Sequence, residues 1–176
     1  MTVTSVDDLR SLIREVPDFP KPGILFYDIT TLLKNPAGFR ATVDALAEPY
    51  REQRIESVVG IESRGFILGA AVAERLGAGF VPIRKPGKLP AGAIRESYAL
   101  EYGTDALEIH LDAIKKDERV LIVDDVLATG GTAAAAAKLV SDLEGDLVGL
   151  VFLIELAFLS GRAKLPGRPV HSVLQY

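Results

Sequence analysis

Two adjacent acids, Asp124 and Asp125, stand between an apolar run, Val120 to Val123, and the segment Ala128-Thr129-Gly130-Gly131-Thr132. Side-by-side carboxylates repel a phosphate, but they accept hydrogen bonds from vicinal hydroxyls such as those of a ribose. The segment behind them has the opposite chemistry. Gly130 and Gly131 let backbone amides come close to a ligand. Thr129 and Thr132 add hydroxyl donors, and the run from Ala133 reads as a helix whose open N-terminus attracts an anion. Residues 120–132 therefore offer both halves of a ribose-phosphate site. Other phosphate motifs fit worse: a Walker A loop needs Lys-Ser/Thr directly after its last glycine, and Lys138 comes too late. No G-x-G-x-x-G opens a helix, so a dinucleotide fingerprint is absent.

Two further stretches could hold an anion. Glu62-Ser63-Arg64-Gly65-Phe66 follows an apolar strand, Ser57 to Ile61, and precedes a helical pattern, residues 67–76. An arginine at a helix N-terminus adds fork donors to the dipole and suits a multiply charged anion. The second stretch runs from Arg84 to Tyr98, after a short strand at Phe80 to Ile83. It holds two glycines, two prolines and four basic residues, Arg84, Lys85 and Lys88 among them. In a chain of net charge −4, such a long basic segment reads as a lid or binding loop.

The elements that must position these residues follow from periodicity. Val120 to Val123 is short and β-branched, as a fully buried strand is. Leu147 to Leu156 reads as another long apolar strand, and Ala106 to Ile114 alternates like a half-buried one. A helix is expected over Ser5 to Val16, stopping at Pro17. Asp18 to Thr30, punctuated by Pro20, Pro22 and Gly23, is expected to form an ordered loop or cap with no regular element. Asn35-Pro36 is a helix start running to about Tyr50. The alanines at 133–137 allow close packing of a helix on the sheet. His110 and His171 sit on alternating patterns and read as structural. The β–α alternation predicts an α/β fold with a mainly parallel central sheet flanked by helices, ligands lying at the carboxyl ends of the strands.

At 176 residues, with 48% apolar and 25% charged residues, a single domain over 1–176 is expected. No apolar run approaches the roughly 20 residues of a membrane span, and the acidic start lacks the features of a secretory signal. The net negative charge argues against general nucleic-acid binding. The absence of cysteine fits a cytoplasmic location.

The motif V-L-I-V-D-D-V-L-A-T-G-G-T, residues 120–132, closely resembles the phosphoribosyl diphosphate (PRPP) motif of type I phosphoribosyltransferases. The resemblance implies that fold, with an N-terminal hood at about 1–34 and a mobile catalytic loop at about 84–103. It implies that Asp124 and Asp125 hold the ribose hydroxyls while Ala128, Thr129, Gly130, Gly131 and Thr132 wrap the 5′-phosphate. E-S-R-G is similar to the family's pyrophosphate loop, which often contains a non-proline cis peptide. Ser63, Arg64, Arg84 and Lys88 fall on pyrophosphate positions. D-F-P-K-P-G-I-L-F-Y-D-I-T resembles the hood of the adenine-specific members, which places Phe26 against a purine, with Leu25 and Tyr27 reading the base edge. L-E-Y-G, residues 100–103, puts Glu101 in the acid–base role, and E-L-A-F-L-S-G-R-A-K-L, residues 155–165, matches the same members' carboxyl-terminal pattern. Implied in turn are transfer from PRPP to adenine giving AMP and pyrophosphate, Mg²⁺ bound mainly through substrate with no dedicated protein cage, and a homodimer. Two alternatives stay open: the same chemistry on hypoxanthine, guanine, xanthine or orotate, or a PRPP- or purine-sensing regulator without turnover.

Overall fold

The computed structural model describes residues 5–99 and 104–176. The chain divides into two compact units, one up to Ala45 and one from Leu46 onward.

In the first unit, helix α1 covers Val6–Ser11. The Ser5 side chain accepts the Asp8 N–H while the Asp8 carboxylate accepts the Ser5 N–H, a reciprocal cap. The helix ends well before Val16, because Arg14–Pro17 becomes strand β1 and pairs antiparallel with β2, Leu25–Asp28. Cross-strand pairs outweigh another helical turn: Arg14 Nη2 lies 2.6 Å from Asp28 Oδ2, and Val16 sits opposite Phe26. The turn-rich segment thus contains a regular strand, contrary to expectation. Phe26 is half-buried with Phe19 edge-on at 5.2 Å, and Phe19 remains exposed. Helices α2, Thr30–Lys34, and α3, Pro36–Ala47, follow. The Asn35 side chain accepts the Gly38 N–H at 3.0 Å, an N-cap with proline at the first helical position.

The second unit carries the sheet. Its elements in order are β3 (Ser57–Ile61), α4 (Arg64–Leu76), β4 (Gly79–Ile83), β5 (Ala93–Ala99), β6 (Thr104–His110), β7 (Arg119–Leu127), α5 (Gly131–Asp142), β8 (Asp146–Glu155) and β9 (Val170–Gln175). Five strands form a parallel sheet in the order β4-β3-β7-β8-β9. Alternate residues of β3 serve opposite faces. Val59 and Ile61 join Ile83, Ile122 and Phe152 in the core that the alanines of α5 cover. Gly60 lies against Gly69 of α4 on the other face, so close that a side chain at either position would meet the Phe80 ring. The mainly parallel sheet flanked by helices is therefore as the β–α alternation implies.

Two elements differ from the sequence reading in ways that shape the site. Strand β7 does not end at Val123 but continues through Asp124 and Asp125 to Leu127. The long neighbour β8 supplies a ladder that far, pairing Asp124 with Phe152 and Leu127 with Glu155, whereas the pairing with β3 stops at Gly60–Val123. The two acids thus lie beyond the ladder to one neighbouring strand while still held by the other. The basic segment after Arg84 is also more ordered than a loop. From Ala93 to Ala99 it is strand β5, paired antiparallel with β6, and Glu96 meets Lys138 of α5 at 3.4 Å.

Candidate active site

All the loops singled out in this unit leave the carboxyl ends of parallel strands, where an open α/β sheet offers its crevice. An open helix N-terminus is supplied by α5. Gly130 caps this helix in the left-handed conformation, φ 79°, with no side chain bonded to the first amides and no acid in the first turn. Helix α1 has the reverse arrangement, with its N-terminus occupied by Ser5 and followed by Asp7 and Asp8. Only the α5 type of terminus has amides and dipole open to an anion. Val126 to Ala133 line a pocket of about 60 Å³ there. This is far below the roughly 300 Å³ at which pockets for whole organic ligands begin, and it suits a group the size of phosphate.

The acid half sits beside it. Asp125 is buried at 5% exposure, and its Oδ2 has no hydrogen-bond donor aligned on it, although Arg64 Nε lies 2.6 Å away as an ion pair. The Asp125 N–H donates to Asp124 Oδ1 at 2.9 Å. Burial, and then the charge of Asp125, push the Asp124 carboxyl well above the ordinary carboxylate range. Asp125 is raised too, by burial, with the Arg64 guanidinium opposing. Two adjacent, desolvated carboxylates with a single cation, Arg64, paired to Asp125 favour hydroxyl donors or additional positive charge.

Arg64 is the first residue of α4, directly after the turn Glu62–Ser63, whose peptide bond is cis. Gly65 makes the approach possible: a Cβ there would stand 2.7 Å from Asp124 Oδ1 and 3.2 Å from the Val123 carbonyl oxygen. Arg84 joins from the next strand, its Nε 3.2 Å from Glu62 Oε2 and its Nη1 donating to the Lys88 carbonyl at 3.3 Å. Glu62 also accepts the Lys85 N–H at 3.0 Å. That bond first, and Arg84 after it, hold the Glu62 carboxyl below its usual range. Further along, the Lys85 ammonium pairs with Asp105, and the Gly87 N–H donates to Glu108 at 2.9 Å. Glu62 was legible only as part of the E-S-R-G stretch, and Asp105 and Glu108 belong to no motif.

Ser63, Arg64, Arg84, Asp124, Asp125 and residues 128–132 are thus brought to one edge of the sheet, where Arg84 pairs with Glu62 and Arg64 with Asp125. Lys88 lies on the exposed part of the same loop, tied in through its carbonyl. Leu25, Phe26 and Tyr27 lie together on β2 of the first unit, Leu25 exposed and the other two half-buried. Glu101 lies outside the described residues.

Fold and loops together define a phosphoribosyltransferase, and the family model described as "Phosphoribosyl transferase domain" matches residues 28–166. The chain is 64% identical over 169 residues to the adenine phosphoribosyltransferase of Solibacter usitatus, covering 96% of this chain and 98% of that one. The adenine phosphoribosyltransferase crystal structure from Rhodothermus marinus superposes with a TM-score of 0.93 at 57% identity, covering 97% of this chain and 98% of the other. The enzyme from Trypanosoma brucei, solved in complex with AMP, pyrophosphate and ribose-5-phosphate, superposes with a TM-score of 0.88 at 28% identity, covering 99% and 82%. The chain belongs to the adenine phosphoribosyltransferase family, whose members are glycosyltransferase-type enzymes.

Proposed function

We propose that this chain transfers the phosphoribosyl group of PRPP to adenine, with release of pyrophosphate and formation of AMP. The observation that carries this reading is the 2.6 Å ion pair between Arg64 and Asp125, which joins the anion turn to the hydroxyl-binding acids beside an uncapped helix N-terminus. Asp124 and Asp125 hold the ribose hydroxyls. The amides and hydroxyls of residues 128–132 hold the 5′-phosphate, with Ala128 supplying backbone only. Ser63, Arg64, Arg84 and Lys88 take the pyrophosphate, and Leu25, Phe26 and Tyr27 the base.

In the reaction the anomeric carbon–pyrophosphate bond breaks, a bond from a ring nitrogen of adenine forms with inversion, and that nitrogen's proton departs. Positive charge develops on the ribose and negative charge on the leaving group. The chain needs no nucleophile for this: fixed acids stand on the ribose side and arginines on the other, so positioning and preorganised charge lower the barrier. Among the described residues no cluster of three or more metal-ligating side chains occurs, and the donors on hand are the desolvated pair Asp124 and Asp125. Such a set suits Mg²⁺ that retains water and substrate oxygens. When bound, the ion would offset pyrophosphate charge.

Glu101 completes the proposal as the group that shares a proton with the base. Glu101→Ala is expected to lower kcat by about a hundredfold or more while leaving PRPP affinity near that of the parent enzyme. Equal losses in both would remove the assignment. A homodimer belongs to the same proposal, supported by apolar surface at Ile67 on α4 and Phe80 on the edge strand β4. So does the cytoplasm, supported by the cysteine-free sequence. None of the described helices is long and apolar enough to cross a membrane.

The test is a panel of radiolabelled bases with PRPP and Mg²⁺. AMP from adenine, with little or no product from hypoxanthine, guanine, xanthine or orotate, is the expected result. Product from another base but not adenine would overturn the base assignment, and no nucleotide from any base would favour a sensor.

A further inference from the structure

The carboxyl-terminal segment 155–165 has no part in the site as described, yet it touches the phosphate loop backbone to backbone. A methyl group at Gly130 would collide with the Gly161 carbonyl, and its Cβ would also stand 3.2 Å from Gly161 Cα. Conversely, a methyl group at Gly161 would collide with the Ala128 carbonyl and lie 3.1 Å from the Gly130 nitrogen. No flexible side chain intervenes, so whatever holds Gly161 in place also sets where Ala128 to Gly130 can lie.

What holds Gly161 is an ion pair between the buried Glu155 carboxylate and a half-exposed Arg162 guanidinium. The turn Gly161–Lys164 is fastened by Arg162, whose Nε and Nη2 donate to the two oxygens of Glu155, each at 2.6 Å. Its Nη1 donates to the Val170 carbonyl at 2.8 Å. Glu155 is only 5% exposed and is paired in the sheet with Leu127, the last residue of β7 before the phosphate loop. The Leu156 N–H donates to the Leu127 carbonyl at 2.9 Å, extending that ladder by one more bond. A bidentate guanidinium–carboxylate pair is the most orientation-specific clamp available to side chains. Here it ties the segment behind the loop to the strand in front of it.

We propose that Gly161 and Arg162 are positioning residues for sugar-phosphate binding: Arg162, through Glu155, fixes Gly161 as a rigid stop against which the loop 128–132 takes its anion-binding shape. This rests on the assignment of residues 128–132 to the 5′-phosphate. It adds that glycine at 161 is needed because of what it touches, since its φ lies outside the left-handed region and is open to alanine.

The test is Gly161→Ala in the full chain, read by calorimetric binding of ribose-5-phosphate and by the separate KM values for PRPP and adenine. Expected are a tenfold or greater loss of ribose-5-phosphate affinity, a similar rise in the PRPP KM, and an adenine KM within threefold of the parent. Arg162→Lys, which keeps the charge but loses the fork, should shift the same two quantities by a smaller factor in the same direction. It also serves if Gly161→Ala does not fold. Parent-like PRPP and ribose-5-phosphate binding in either folded variant would overturn the proposal, as would equal losses for PRPP and adenine. If the parent chain itself fails to bind ribose-5-phosphate, the phosphate assignment falls and this inference with it. A parent that binds, with variants that bind equally well, leaves that assignment standing.

Discussion

Asp124→Asn is expected to make the ligand-free protein more stable and, at the same time, a weaker binder of PRPP. Asparagine keeps an oxygen in place to accept the Asp125 N–H, now at 2.9 Å, and removes the charge that burial and Asp125 both disfavour. An acid whose folded pKa lies above its ordinary value of 3.8 leaves the native state holding more protons than the unfolded one between those two values. Its stability therefore falls as pH rises through that window. The variant lacks this loss, so its advantage should be small near pH 4 and largest above the raised pKa. A gain of about 1 kcal/mol would appear as roughly 2–4 °C in Tm for a chain of this size. Binding should move the other way. Hydrogen bonds from ribose hydroxyls to a charged acceptor contribute about 1.5–3 kcal/mol, so PRPP affinity should fall roughly ten- to hundredfold. Melting curves from pH 4 to 8, with and without PRPP, check both halves. A lower Tm at neutral pH with unchanged PRPP affinity would refute the assignment of Asp124 to the sugar.

Such a trade is what a binding site built on desolvated acids implies: the free protein carries an electrostatic cost that the ligand's hydroxyls relieve. The same logic explains how much of the site could be read from the chain. The loop 128–132 was legible because glycine and threonine spacing has few other uses after a buried strand, and the helix it opens does begin there. The two acids were legible as a pair, but not the length of the strand carrying them. That length depends on β8, a partner distant in sequence whose ladder runs on to Glu155 after the pairing with β3 has ended. The hairpin of β1 and β2 was hidden for a related reason. Val6, Leu9, Ile13 and Val16 fit a helical face, and only the cross-strand partners Asp28 and Phe26 decide otherwise. The Gly161 contact was invisible in principle, because nothing local distinguishes a glycine at a backbone crossing from one in an ordinary turn. The resemblance at residues 155–165 marked the segment but not its contact, and Arg162 added a hint, an arginine seven positions after a glutamate that ends an apolar strand.

Arg64→Met is the second substitution with a large expected effect, because it removes both the internal counter-ion of Asp125 and a candidate ligand of pyrophosphate. Methionine preserves the stem and the packing at the start of α4. Losing one partner of a buried pair costs about 3–5 kcal/mol. Because the Arg64 side chain is 39% exposed and partly screened by water, a loss of about 2 kcal/mol is the better expectation, or roughly 4–8 °C in Tm. The guanidinium is the main influence holding Asp125 down against its burial, so without it that carboxyl rises further. The penalty should then be greatest at neutral pH and shrink as acid protonates Asp125, opposite to a variant damaged in its apolar packing, whose loss would not follow the titration of one carboxyl. Pyrophosphate should bind about a hundredfold more weakly, since fork donors to a polyanion are lost. Arg64→Lys should recover most of the stability but only part of the pyrophosphate affinity, because an ammonium restores charge without the planar pair of donors. Parent-like pyrophosphate binding in Arg64→Met would restrict Arg64 to the role of counter-ion. A Tm loss independent of pH would show that the ion pair with Asp125 contributes nothing in solution.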